Sequence, residues 1–169
     1  MPALEEYQST AWNELESWIG SSRRWACLKV SGTSMLPFLR SGDRVAIGPL
    51  EPGRVLKLGD LVVFRFGNQV LLHRFLVQRG GRLLMKGDNC LACDPPVEPG
   101  AILGVAVALE LDGKWEPLSH PHWVFFNRLA GAAGRVQVGL PGPLRRIAKA
   151  VTAVVEAWML SLCLSHSSQ

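Results

Sequence analysis

Long apolar runs are missing from this chain of 169 residues. The nearest candidate, Ile147 to Leu164, is interrupted by Lys149 and Glu156 and falls short of the roughly 20 apolar residues of a membrane-spanning helix. Met1 to Gly20 carries Glu5, Glu6, Glu14 and Glu16 and has no uninterrupted apolar stretch, so no signal peptide is expected. Charge is also sparse, at 19% of residues, and the net +4 is not gathered into the dense basic patch that a nucleic-acid partner requires. A mild attraction to anionic membrane remains compatible with it. Cysteine is limited to Cys27, Cys90, Cys93 and Cys163. Cys90 and Cys93 form a C-x-x-C, but neither a second such pair nor a nearby histidine pair completes a metal site, so they read as reduced thiols in a loop. No metal and no cofactor are expected. His120 and His122, flanking Pro121, read as loop residues as well.

What is present is a globular composition with turn residues throughout. Hydrophobic residues make up 48% of the chain, and it holds Gly 17 and Pro 11, which favours a β-rich body. Leu4, Tyr7, Ala11, Leu15 and Trp18 recur at helical spacing and predict an amphipathic helix over 1–20, ended by Gly20. A β body follows over 25–118. Its expected strands are Trp25–Val30, Arg44–Ile47, Leu61–Phe66, Val70–Gln78, Arg82–Lys86 and Ile102–Leu111, separated by Gly-Asp, Gly-Asn and Gly-Gly turns and closed at Asp112-Gly113. A helical extension is expected over 119–169. It begins with a short helix, Trp123–Leu129, and a connector, Gly131–Gly142. After Pro143 a long helix carries the apolar stripe Leu144, Ile147, Val151, Val154, Val155, Trp158 and Leu162. That stripe is expected first to pack against the body or the N-terminal helix, with a peripheral membrane contact through residues 143–164 as the second reading.

Ser34 is the centre of the chemical argument. It sits in Val30-Ser31-Gly32-Thr33-Ser34-Met35-Leu36-Pro37, where small and rigid neighbours shape a backbone that presents a hydroxyl. A serine hydroxyl needs a base to take its proton, and a histidine that is largely neutral at pH 7 suits the task. His73 lies in a predicted strand, where alternation puts Leu71, His73 and Phe75 on one face and Leu72 and Arg74 on the other. Asp88 and Asp94 follow on a Gly-Asp-Asn loop. One of them is placed to orient the imidazole, the other to hold the loop through Arg74 or backbone amides.

These segments, in this order, resemble the signal peptidase I superfamily, which includes the protease domains of LexA-type repressors. Gly32-Thr33-Ser34-Met35-Leu36-Pro37 resembles the nucleophile box, and Gly59-Asp60-Leu61-Val62-Val63-Phe64 a following strand. Leu72-His73-Arg74 resembles the general-base box, and Lys86-Gly87-Asp88-Asn89 with Asp94 the carboxylate box. Most bacterial relatives use lysine as base. Histidine at this position is similar to the Ser-His branch. The resemblance implies a mainly β fold, LexA-like or signal-peptidase-like, of antiparallel sheets with flanking helices and no cofactor. It implies Ser34 as nucleophile, His73 as base, and Asp88 or Asp94 in support, with Lys86 as the alternative base. Gly32, Thr33 and Met35 frame the nucleophile loop. Gly32 replaces the serine that often helps bind the oxyanion, so the Ser34 N–H, with Thr33 or Ser31, takes that task.

The resulting expectation is a serine endopeptidase that cleaves a leader or signal segment from a peptide or preprotein. It would work in the cytoplasm or peripherally at the cytoplasmic membrane. A non-catalytic peptide-binding module of the same fold is the second reading. A LexA-type self-cleaving regulator is the third, weakened because residues 1–33 hold no helix-turn-helix and no convincing Ala-Gly cleavage site.

Overall fold

Glycine turns and β-branched runs fold the middle of the chain into a single curled sheet, seen in a computed structural model that describes residues 25–111 and 113–167. The expected helix over 1–20, the turn residue Asp112, and the side chains of Leu162 and Cys163 lie outside the described residues. The strands are β1 (Ala26–Lys29), β2 (Arg44–Gly48), β3 (Leu61–Phe66), β4 (Gln69–Arg79), β5 (Arg82–Lys86), β6 (Ile102–Leu111) and β7 (Lys114–Pro117). All pairings are antiparallel, in the order β1-β2-β6-β3-β4-β5. β3 borders the first part of β6, and β7 pairs with its last four residues. Of the seven, β7 is the strand that the sequence pattern did not reveal: Lys-Trp-Glu-Pro is too short and too polar to read as one.

Alternation splits the apolar residues between the two faces of the sheet. On one face Val45, Ile47, Leu61, Val63, Leu72 and Leu109 meet Met35, Phe38 and Leu39 from the β1–β2 connection and Trp123, Phe126 and Ala130 from a helix. On the other, Val62, Phe64, Phe75, Leu83, Met85, Val97 and Val105 form a second cluster. β4 passes between the two, so its successive side chains enter different cores.

Among the described residues two helices follow the sheet, α1 (Pro121–Gly139) and α2 (Gly142–Ser167). α1 corrects two expectations. The helix does not stop at Leu129, and 131–139 is no connector. His122 lies in its first turn and His120 caps it, so neither is a simple loop residue. The physical reason lies in the glycines. A Cβ on Gly131 would come within 2.8 Å of the Gly59 nitrogen, and one on Gly134 within 3.3 Å of Leu76. Gly59, at φ +93°, leaves no room on its own side either, since its Cβ would sit 2.1 Å from the Asn127 carbonyl oxygen. These glycines serve close approach of helix to sheet, which outweighs their weak helix propensity.

Candidate active site

The β1–β2 connection is pinned by apolar side chains and leaves its hydroxyl on top. Met35, Phe38 and Leu39 are buried in the core while Ser34 stays half-buried. Leu36 N–H donates to the Thr33 carbonyl (3.3 Å) and Leu39 N–H to the Met35 carbonyl (2.9 Å), which closes the turn behind the serine. Gly32 takes φ +86°, the left-handed region that glycine enters freely. Among the described residues the Ser34 N–H donates to no acceptor.

His73 rises from β4 onto the face of Phe64 and Phe75, and is itself buried. Its Nε2 lies 3.0 Å from Ser34 Oγ, and its Nδ1 lies 2.7 Å from Asp94 Oδ2. A carboxylate at Nδ1 fixes the ring proton there and leaves Nε2 as the acceptor for the serine hydroxyl. Asp94 reaches this point because the chain after β5 turns back along that strand's outer edge. Asp94 N–H donates to the Met85 carbonyl (2.9 Å), and Leu83 and Val97 exchange two further backbone bonds (2.8 and 2.9 Å).

The second carboxylate of the loop goes elsewhere. Arg74, next to His73 but on the opposite face, holds Asp88 through both oxygens, Nε to Oδ1 at 2.8 Å and Nη2 to Oδ2 at 2.7 Å. Its Nη1 donates to the Gly59 carbonyl (3.0 Å) and to Asn127 Oδ1 (2.7 Å) on α1, and the guanidinium lies over the Phe38 ring at 5.2 Å. This bidentate pair ties loop, sheet and α1 together.

Lys86, the alternative base, is also buried, and its Nζ donates to the Gly87 carbonyl at 3.1 Å and makes a long contact with the Asp88 carbonyl at 3.5 Å. Burial lowers its pKa below the ordinary value. The side chain in hydrogen-bond contact with Ser34 Oγ is His73 and not Lys86. Glu156 of α2 is buried close to Arg74, Asp88 and Lys86. Burial first, and the Asp88 charge second, raise its pKa to about 7.

Two further residues of the Lys86-Gly87-Asp88-Asn89 segment, to which the sequence pattern assigns no role, build the site. Asn89 clamps the nucleophile loop from behind, its N–H donating to the Ser34 carbonyl (2.7 Å) and its Nδ2 to the Thr33 carbonyl (3.0 Å). Gly87 is where loop, serine and histidine converge: a Cβ there would lie 2.7 Å from the Ser34 carbonyl oxygen and 3.1 Å from His73 Nε2. No residue-level signal separated these two from ordinary turn formers. The thiols Cys90 and Cys93 flank the same loop, both free, and burial raises both above the ordinary thiol pKa. Among the described residues no group of three or more His, Cys, Asp or Glu is placed to hold a metal ion.

Chemically, the arrangement offers a hydroxyl, a ring nitrogen to accept its proton, a carboxylate to steady the resulting imidazolium, and beside the hydroxyl an N–H with no acceptor among the described residues. A family model described as Peptidase S24-like matches residues 1–107. No curated protein and no solved structure matches the chain.

Proposed function

The chain belongs to the Peptidase S24-like family, a family of serine peptidases within the LexA and signal peptidase superfamily, and from that premise we propose a signal-peptidase-type endopeptidase with a Ser-His-Asp site. The single observation that carries this reading is the unbroken relay from Ser34 Oγ through His73 to Asp94, at 3.0 and 2.7 Å.

In the proposed cycle, Ser34 Oγ attacks the scissile carbonyl carbon as His73 Nε2 takes the hydroxyl proton. The tetrahedral oxyanion faces the Ser34 N–H, whose hydrogen is free to stabilise it. His73 then passes the proton to the leaving amine, the C–N bond breaks, and the acyl chain stays on Ser34. Water enters, gives its proton to the same nitrogen and releases the acid. Asp94 stays ionised and holds the ring in one tautomer. Asp88 takes no part in these proton transfers, because both of its oxygens are held by Arg74. The substrate in this reading is an extended leader or signal segment, bound by its main chain, with small side chains near the cleaved bond.

The test is a pair of variants assayed on peptide substrates and by a serine-reactive phosphonate probe. Ser34→Ala should remove both cleavage and labelling, and His73→Ala should remove cleavage, in proteins whose circular dichroism is unchanged. Cleavage by folded Ser34→Ala sinks the assignment. Failure of the wild-type protein to label at any pH supports a non-catalytic binding module instead.

A further inference from the structure

Six apolar side chains of α2 face away from the sheet and α1. Ile147, Val154 and Trp158 are 62%, 70% and 64% exposed, and Leu144, Val151 and Val155 are exposed beside them. The inward side of α2 carries Met159 and Leu160, packed partly buried against the core, together with a set of polar contacts. Thr152 Oγ1 accepts from Gln137 Nε2 of α1 (2.9 Å), Glu156 is buried, and Arg145 donates to the Val138 and Leu140 carbonyls (3.1 and 2.9 Å). Six large apolar side chains thus stay in solvent, where a surface helix usually turns its apolar side to the core. α1 shows the same habit: Phe125, Leu129 and Val136, spaced by four and seven residues, are exposed, with Arg128 and Arg135 exposed among them.

Charge identifies the occupant. Residues 119–169 hold five basic side chains, Arg128, Arg135, Arg145, Arg146 and Lys149, against one acid, Glu156, which is turned inward. Subtracting these from the totals of 18 Lys and Arg and 14 Asp and Glu leaves 13 of each in residues 1–118. The entire net charge of +4 therefore resides in the helical segment that carries the exposed apolar stripe. Among the described residues no helix is long and apolar enough to cross a membrane, and the exposed side chains lie along one side of α2. We propose that α2, with the outward side of α1, lies flat on an anionic lipid bilayer, its apolar side chains entering the headgroup boundary and its basic ones meeting lipid phosphates. This inference stands apart from the peptidase reading, since lipid binding requires no catalysis.

The experiment is co-sedimentation of the full chain with vesicles of phosphatidylcholine alone and of phosphatidylcholine mixed with phosphatidylglycerol. Binding to the mixed vesicles should be tighter by at least about tenfold and should weaken as salt rises. The variant carrying Val151→Asp and Val154→Asp should lose this binding while its circular dichroism is unchanged, because both positions are already in solvent. Equal affinity for the two vesicles, or equal binding by the variant, overturns the proposal. So does a dimer in sedimentation velocity that the same two changes dissociate without any vesicle binding by the wild type, which assigns the face to a second copy.

Discussion

His73 and Arg74 are neighbours on β4, and each ends on a carboxylate of the same short loop, yet the two pairs do opposite things. His73 points to one face of the sheet and meets Asp94 at 2.7 Å with a half-exposed serine on its far side. Arg74 points to the other face and meets Asp88 with two bonds, and the side chains of that pair are 1% and 5% exposed. A cation that never changes charge, sealed between sheet and helix, can only hold structure. A titratable ring with one nitrogen fixed and the other on a hydroxyl can move a proton. In the proposed reading the loop over 87–94 gives rigidity with one carboxylate and chemistry with the other, and the exposure of Ser34 beyond His73 separates the two.

The sharpest way to break the comparison is to neutralise each carboxylate in turn. Asp94→Asn should cost about 10²- to 10⁴-fold in kcat, because an amide neither fixes the ring tautomer nor steadies the imidazolium with a charge, with little change in Tm. Asp88→Asn should do the reverse, lowering Tm strongly and leaving the pH profile of the remaining activity in place. Equal effects of the two changes on kcat, with Tm unaffected in both, would erase the distinction. Next comes Arg74→Met, which leaves Asp88 buried and uncompensated. It should destabilise by about 3–5 kcal/mol in chemical denaturation, the usual cost of breaking a buried pair.

How far this contrast was legible in sequence depends on the element. Period-two alternation put His73 and Arg74 on opposite faces, and glycine turns marked six of the seven strands. The Peptidase S24-like match over residues 1–107 agrees with the resemblance read from the motif order. Alternation could not choose between Asp88 and Asp94. That choice is made by the return of the chain along β5, a long-range backbone pairing with no local pattern. α1 was cut short for a related reason: Gly131 and Gly134 read as breakers, whereas tertiary contact with Gly59 and Leu76 makes them the residues that fit. The stripe of α2 was legible as a stripe, but not the side on which the protein lies, because the buried polar side is chosen by Arg74, Asp88 and Gln137 from distant segments.

Glu156 extends the structural side of the comparison into α2 and gives it a pH dependence. Its carboxyl titrates near 4.5 in an ordinary setting and at about 7 here. Between those values the folded protein binds the extra proton, so stability falls as pH rises through that window and is level above it. The full span corresponds to about 3 kcal/mol. Glu156→Gln mimics the protonated form. It should raise Tm relative to wild type at pH 8 and make no difference at pH 4, with the gap opening between. A Tm gain that is the same at both values would assign the effect to packing rather than to titration.

A smaller loss of stability than that of Arg74→Met is expected where the two sides meet. Gly87 has an ordinary φ, so conformation is not what its position demands. Space is: an added Cβ would sit 2.7 Å from the Ser34 carbonyl oxygen, 2.8 Å from Cys90 Sγ and 3.1 Å from His73 Nε2. Gly87→Ala should therefore cost about 1–3 kcal/mol in stability as the loop is pushed outward. The same displacement separates Ser34 from His73 and should lower kcat by up to about 10²-fold. Two controls sharpen the reading. Gly139→Ala, with nothing near its Cβ, should be neutral or slightly stabilising. Combining Gly87→Ala with Cys90→Ala removes the sulfur contact alone, so it should restore part of the stability and none of the activity, since the Ser34 carbonyl is backbone and cannot step aside. Recovery of activity in that double variant would mean that the thiol, and not the nucleophile loop, limits the space around Gly87.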